Sequence, residues 1–120
     1  MNPFLLVFLG GGLGSVCRYA LGLLLQPHTA RFPWATLAAN GLACLILGVL
    51  TGLSLQGKLS DQQRLLFATG FCGGFSTFST FTNETWGLWQ NGQPEEALLN
   101  VTLSLAVCFL CLLLGIKIST

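Results

Sequence analysis

Charged side chains are scarce in this chain of 120 residues. They make up 8% of it, whereas apolar residues make up 52%, and an ordinary soluble domain carries about 25% charged residues. The scarcity of charge excludes an ordinary soluble domain and predicts an integral membrane protein. The formal net charge of +1 provides no basic field that would attract nucleic acid, so we expect no nucleic-acid partner.

Histidine is nearly absent, and cysteine occurs in an odd number. The single histidine, His28, lies in a predicted loop, and no pair of nucleophile and base is evident, so we expect no enzymatic activity. All five cysteines fall in apolar runs, which argues against a disulfide scaffold. Cys108 and Cys111 form a C-x-x-C pair, but no second pair or histidine stands nearby, so helix packing is favoured over a zinc or redox site.

Apolar runs separated by short polar breaks indicate an all-α fold with four membrane spans. One span needs about 20 residues, so four of them fill the chain as a single domain, 1–120. We predict spans at about 3–25, 34–55, 65–89 and 97–116. The first run lacks a basic leader and a clear cleavage site, so we expect it to be retained. Ser60 is the predicted N-cap of the third helix.

The third span contains the most unusual segment, GFCGGFSTFSTF at positions 70–81. It places glycines and hydroxyl groups inside a run of membrane-spanning length. Irregular backbone at membrane depth persists only where protein or water satisfies its polar groups. We therefore expect this segment to face an interior and to handle a small solute or ion.

Basic residues are distributed almost evenly between the two predicted sides of the membrane. Lys58, Arg64 and Lys117 lie on one side, and Arg18 and Arg31 lie towards the other. Orientation follows the bias in lysine and arginine, and this bias is only one residue. The sequence therefore predicts insertion in both directions, which would permit an antiparallel homodimer.

Several polar residues inside the spans need an explanation. An unpaired guanidinium such as that of Arg18 costs at least about 2.5 to 3.5 kcal/mol in a membrane. Arg18 is either a structural cation that binds helix-end carbonyls or a positive charge that draws anions into a vestibule. Thr36 and Asn40 project from one helix face, where they either hold helices together or contact a permeant species.

The third and fourth spans carry two further patterns. Asn100, Ser104 and Cys108 form one stripe, which is typical either of a pore wall or of hydrogen bonding between helices. Phe78 and Phe81 share a helix face; such residues usually belong to a core, but the positive edges of their rings could also stabilise an anion.

The motifs GGGLGSVCRY, TLAANGLACLILG and GFCGGFSTFSTF occur in an order and spacing that closely resemble the Fluc (CrcB) fluoride channels. The resemblance covers essentially the whole chain, and the third motif is highly specific. It implies a fluoride-selective channel that passively exports fluoride across the inner membrane and protects a microbe from its toxicity. It also implies four-helix subunits with a break in the third helix, packed as a dual-topology antiparallel homodimer with two pathways.

The resemblance also implies roles for individual residues. Asn40 would reach into the pore, Phe78 and Phe81 would supply the aromatic boxes, and a surrounding polar set would comprise Thr36, Ser79, Thr80 and Glu84. Members of the family commonly have a tyrosine followed by serines along the fourth span. Here Asn100, Ser104 and Cys108 take those places, and the thiol is the weakest donor of the three.

A structural sodium ion at the dimer centre is a further implication of the resemblance. Backbone carbonyls at the break would hold it, and the matching positions are Gly73 and Ser76. Threonine often stands in the family at the position of Ser76, but a carbonyl ligand tolerates that change.

Two other functions remain open at this point. A proton-coupled small multidrug exporter has a similar size and often an antiparallel dimer, but it centres on an acid in the first span, where this chain has none. A membrane assembly subunit that moves no ion would also explain the polar residues, as contacts between helices.

Overall fold

Helices form the whole fold of the computed structural model, which describes residues 1–120 and contains no strand. The all-α prediction is therefore confirmed. We number the helices in chain order: α1 is Pro3–Leu25, α2 is Trp34–Leu55, α3 comprises the consecutive segments Asp61–Gln63, Arg64–Cys72 and Gly73–Phe75, α4 is Phe78–Gln90, and α5 is Pro94–Ser119. By length and composition, three helices can each cross a membrane: α1 together with the turn Gln26–His28 that follows it, α2 and α5.

The last helix is longer than the predicted span at about 97–116. It begins at Pro94, whose ring is already shaped for the first position of a helix. Glu95 and Glu96 lie in the first turn and Lys117 in the last, where each charge opposes the helix dipole. The prediction followed apolar residues only, so it missed the polar turns at both ends.

Helix α3 begins at a capping box. The Ser60 hydroxyl accepts a hydrogen bond from the Gln63 N–H at 3.1 Å, and the Gln63 side chain accepts one from the Ser60 N–H at 3.0 Å. The predicted N-cap at Ser60 is therefore confirmed. The segment Arg64–Cys72 then continues as a π-helix, a wider form that frequently occurs at functional sites.

Glycines bring the helices into backbone contact in two pairs. A side chain on Gly14 would overlap the Phe71 carbonyl of α3, and one on Gly48 would overlap the Leu112 carbonyl of α5. Residue numbers rise together along both contacts, because Gly10 meets Leu66 and Gly52 meets Ser119. Helix α1 therefore runs parallel to α3, and α2 runs parallel to α5.

The parallel pairing of α2 and α5 fixes the path of the chain between them. The segment that leads from the end of α2 to the start of α5 has to run back along the length of the bundle. Helices α3 and α4 form that segment. Only 19 of 120 residues are buried, although more than half of the chain is apolar. Most apolar side chains are therefore at least partly exposed, as expected for a multi-pass membrane protein whose surface meets lipid or other protein.

Candidate functional site at the interrupted helix

The helical path breaks between α3 and α4 at two extended residues. Ser76 has φ −81° and ψ 159°, and Thr77 has φ −155° and ψ 110°. Ser76 is the last residue bonded to α3, since its N–H and its hydroxyl both donate to the Cys72 carbonyl, at 3.0 and 2.8 Å, and its extended backbone ends the helix. Thr77 begins α4 because its hydroxyl accepts from the Thr80 N–H at 3.2 Å. The hydroxyl-rich segment thus supplies both helix ends at the break.

Asn40 on α2 binds the exposed backbone of the break. Its Nδ2 donates to the Thr77 carbonyl at 3.3 Å, and its Oδ1 accepts from the Thr77 N–H at 2.7 Å. An asparagine side chain carries its donor and its acceptor on separate atoms, so it can satisfy the N–H and the carbonyl of one residue together. Asn40 therefore stabilises the interruption.

One cavity lies beside the break, between α2, α4 and α5, and we call it the phenylalanine cavity. It measures about 260 Å³ and is lined by Asn40, Cys44, Ser76, Thr77, Phe78, Phe81, Ser104, Leu105 and Cys108. The rings of Phe78 and Phe81 are 5.6 Å apart and tilted by 42°. Phe78 remains 79% exposed, so this cavity is open on one side of the single chain. Six of the predicted site residues line it.

A second cavity lies on the other side of the break, and we call it the arginine cavity. It measures about 290 Å³, and Arg18, Thr36, Thr77 and Thr80 are among its lining residues. Arg18 Nε donates to the Gly74 carbonyl at 3.1 Å, next to the end of α3. Arg18 therefore binds a helix-end carbonyl, as one of the two predictions proposed. It also lines a cavity, but the alternative role, drawing anions into a vestibule, stays a prediction.

Thr77 lines both cavities, although no sequence pattern singled it out. Its hydroxyl also donates to Thr80 Oγ1 at 2.9 Å and lies 3.4 Å from Ser79 Oγ. Ser79 itself lines neither cavity. The available signal was the N-cap preference for threonine directly before a helical segment, but several hydroxyl residues in this segment carry the same signal.

Glu84 and Thr36 form a polar contact between α4 and α2. The Thr36 hydroxyl donates to Glu84 Oε1 at 2.5 Å. Glu84 lies outside both cavities and lines a smaller one of about 210 Å³ that Arg31 also lines. The two charges are not within ion-pair distance, since the only ion pair of the protein joins Arg64 to Asp61 at 3.5 Å.

The predicted stripe on α5 divides between two environments. Asn100 is 2% exposed, and its Nδ2 donates to Thr85 Oγ1 on α4 at 2.9 Å. Ser104 donates to Asn100 Oδ1 at 3.3 Å and also lines the phenylalanine cavity, as Cys108 does. Asn100 thus connects two helices, whereas Ser104 and Cys108 reach the cavity.

Backbone carbonyls at the break are left without their helical donors. The Thr77 N–H would donate to the Gly73 carbonyl in a continuous helix, but it donates to Asn40 instead. No backbone N–H donates to the Ser76 carbonyl, and Gly73 is exposed with open space beside it. No group of three or more His, Cys, Asp or Glu side chains could hold a metal, so a cation here would be held by backbone oxygens.

The fold and this site define a class: a small helical membrane protein in which a broken helix separates two partly polar cavities. Residues 5–116 match the family described as CrcB-like protein, Camphor Resistance (CrcB), and the chain belongs to this family. The resemblance inferred from the three motifs is thereby confirmed.

Three similar relatives share the same protein name. A protein of Thermus thermophilus named fluoride-specific ion channel FluC is 44% identical over 119 residues, which cover 98% of this chain and 95% of that relative. Proteins with the same name from Erythrobacter litoralis and Phocaeicola vulgatus are 43% and 40% identical. These matches cover 94% and 99% of this chain, and 88% and 99% of the relatives.

Proposed function

We propose that this protein is a fluoride-selective channel that passively exports fluoride across the inner membrane and protects the cell from fluoride toxicity. It is a transporter and not an enzyme. The names of the relatives support this function. The observation that carries it is the lining of the phenylalanine cavity, where hydrogen-bond donors and two aromatic rings stand together without a charged group.

Such a lining suits the chemistry of fluoride. The ion is small and strongly hydrated, so a pathway has to replace its water by donors and still let it leave. Asn40 uses one N–H of its Nδ2 on the Thr77 carbonyl, and the second N–H remains for an anion. Ring edges carry partial positive charge, and they would attract fluoride without the deep well that a lysine would create.

Polar residues away from the phenylalanine cavity would extend the pathway. Arg18, Thr36 and Thr80 in the arginine cavity would draw in the anion at one end. Ser79 and Glu84 would belong to the polar set beyond the rings. Ser104, Cys108 and Asn100 would form the opposite wall, although Asn100 would act through its bond to Ser104, because it lies outside the cavity.

We further propose that α3 and α4 together form one discontinuous span, which gives four spans in each subunit. The parallel direction of α2 and α5 supports this, since the chain must cross back between them. Two oppositely inserted copies would form the functional dimer. The exposed ring of Phe78 supports a partner at this face, because a second copy would close the open side of the phenylalanine cavity.

A sodium ion is proposed at the dimer centre, held by the carbonyls of Gly73 and Ser76. Both carbonyls fit this role because the break removes their helical donors. Sodium prefers oxygen ligands, and carbonyl oxygens supply partial negative charge without a titratable group. When bound, the ion would neutralise the carbonyl dipoles that two facing breaks would otherwise bring together.

The function can be tested by fluoride efflux from liposomes that contain the purified protein. Phe78→Ile and Phe81→Ile should each slow efflux, because they remove the ring edges but retain apolar bulk. An edge-to-face contact between two aromatic rings contributes about 0.5 to 1.5 kcal/mol, and we take the same order for a ring edge that faces the anion. Since about 1.4 kcal/mol changes a rate tenfold, we expect slowing by about two- to tenfold. Phe8→Ile is the matched control, since Phe8 is 74% exposed on α1.

Chloride-loaded liposomes and an imposed proton gradient complete the experiment. Fluoride efflux that needs no proton gradient and leaves chloride inside identifies a channel. Efflux that depends on the gradient would identify a proton-coupled exporter, and intact protein without any flux would identify an assembly subunit. Unchanged fluoride efflux in both phenylalanine variants would contradict the roles assigned to the rings.

A further inference from the structure

Two cysteine side chains line the phenylalanine cavity from different helices. Cys44 lies on α2 and Cys108 on α5. Both are free thiols and are partly accessible, whereas Cys72 is buried and Cys17 lies exposed elsewhere on the surface. A solute that enters the cavity can therefore reach two thiols, and the proposed fluoride pathway does not require them as a pair.

Close packing of the two helices holds these thiols near each other. One turn beyond Cys44, Gly48 lies so close to α5 that an added side chain would overlap the carbonyl of Leu112, which is one turn beyond Cys108. Because α2 and α5 run parallel, Cys44 and Cys108 lie at the same level of the helix pair, one turn before this contact. Because the backbones touch at Gly48, the separation of the two sulfur atoms is set by rigid helices and not by a loop.

The chemistry of this pair suits a soft metal cation. Thiolate sulfur is the ligand that soft ions select. Zinc would need four ligands, and no group of three or more His, Cys, Asp or Glu side chains is present to supply them. Two thiols that line one cavity from adjacent helices can instead bind an ion that prefers two collinear sulfur ligands, such as mercuric ion.

We propose that Cys44 and Cys108 form a two-thiolate site for soft, two-coordinate metal cations, and that its occupation closes the ion pathway. On binding, each thiol loses its proton to solvent, and the two sulfur atoms each form one bond to the metal. The metal keeps its oxidation state, and no other reactant is needed. The closure rests on the proposed function, whereas the metal binding does not.

Metal binding is tested first without any measurement of transport. The probe is mercuric nitrate in chloride-free buffer, added to the purified protein in detergent. A chain carrying Cys17→Ser, Cys72→Ser and Cys111→Ser keeps only the two cavity cysteines. We expect it to bind one mercuric ion per chain, with loss of both reactive thiols and a sulfur-to-mercury absorption band in the ultraviolet.

The control removes one of the two ligands. Adding Cys44→Ser to this chain should leave a single thiol that binds mercury weakly and gives it up to a competing monothiol. If the three-fold serine variant does not assemble, Cys44→Ser and Cys17→Ser are compared in the otherwise unchanged chain. The unchanged chain and Cys17→Ser should both retain bound mercury when the competing monothiol is added. Cys44→Ser should lose it. Equal retention in both variants would overturn the site.

Fluoride efflux gives the second readout, with each variant compared with its own rate before metal is added. Mercuric ion should stop most of the efflux of the two-cysteine chain, and a dithiol chelator should restore it. Bound mercury with unchanged efflux would overturn the closure but retain the site. Absence of efflux before metal is added would contradict the proposed function, while the absorption band would still report the binding.

Discussion

Asn100 on α5 and Thr85 on α4 are joined by a hydrogen bond of 2.9 Å from the amide to the hydroxyl. Asn100 is the largest fully buried side chain of the protein, and Thr85 donates its own proton to the Phe81 carbonyl at 2.8 Å. A buried amide without a partner is costly. This contact therefore determines how α5 lies against the half of the broken helix that carries the phenylalanines.

Thr85→Val should destabilise the protein, because it leaves the Asn100 amide without its acceptor. An unsatisfied buried donor costs about 1 to 3 kcal/mol. Thermal unfolding in detergent, followed by the fluorescence of the nearby Trp86 and Trp89, measures the change in stability. Thr82→Val is the matched control, since Thr82 donates to the Phe78 carbonyl in the same way but has no partner on another helix. Equal losses in the two variants would contradict the importance of the contact.

Asn40 has a structural role at the break and a proposed role in conduction, and two substitutions separate these roles. Asn40→Ala removes both bonds to Thr77, so stability should fall by about 1 to 3 kcal/mol for each backbone group left unpaired. Asn40→Asp retains an acceptor for the Thr77 N–H but adds negative charge to the phenylalanine cavity. Asn40→Asp should therefore slow fluoride efflux more strongly than its loss of stability explains.

The control for Asn40 is Asn83, an exposed residue on α4 without a side-chain hydrogen bond. Asn83→Asp adds the same charge outside the phenylalanine cavity, and we expect nearly normal efflux. Wild-type efflux in Asn40→Asp, measured on protein that is folded by its unfolding temperature, would show that Asn40 holds the break but does not line the pathway.

Thr36→Val tests the contact between α2 and Glu84. The hydroxyl of Thr36 donates to the Glu84 carboxyl group, and a hydrogen bond to a charged group contributes about 1.5 to 3 kcal/mol. We expect a loss of stability of this order, together with slower efflux, because Thr36 also lines the arginine cavity. Thr102→Val is the control, as the Thr102 hydroxyl donates only to carbonyls of its own helix.

The sequence predicts the helices better than it predicts their contacts. Apolar runs ending at Gln26-Pro27 and at the polar stretch after Leu55 indicate where α1 and α2 end, because proline and exposed amides are poorly suited to continue an apolar span. Ser60 was identifiable as an N-cap from local chemistry alone. The first turn of α5 and the π-helical form of Arg64–Cys72 were not predicted, because the first is polar and the second has no residue pattern of its own.

The partners of the polar residues could not be read from the chain. The i, i+4 spacing of Thr36 and Asn40 places them on one face, but it does not say that one meets Glu84 and the other meets Thr77. The spacing of Asn100 and Ser104 likewise predicts a stripe and leaves two roles open. Such partners lie on other helices, and only the packing set by the glycine contacts determines which residues meet. The roles assigned from the resemblance remain predictions.

Gly74 provides the sharpest test of that packing. A side chain there would overlap the Gly11 carbonyl of α1, while the Gly74 carbonyl accepts the bond from Arg18. Gly74→Ala should therefore push α1 from α3 and displace Arg18. Overpacking costs about 1 to 3 kcal/mol, and the displaced guanidinium should also slow fluoride efflux at low fluoride concentration.

Gly12→Ala is the matched change on α1, and its effect on stability should have the opposite sign. Nothing lies within 4 Å of a side chain added at Gly12, and alanine in a helix interior is favoured over glycine by about 0.5 to 1 kcal/mol. Thermal unfolding in detergent should therefore shift down for Gly74→Ala and slightly up for Gly12→Ala. An upward shift for both would mean that helix propensity, and not backbone contact between α1 and α3, determines the response to a side chain at Gly74.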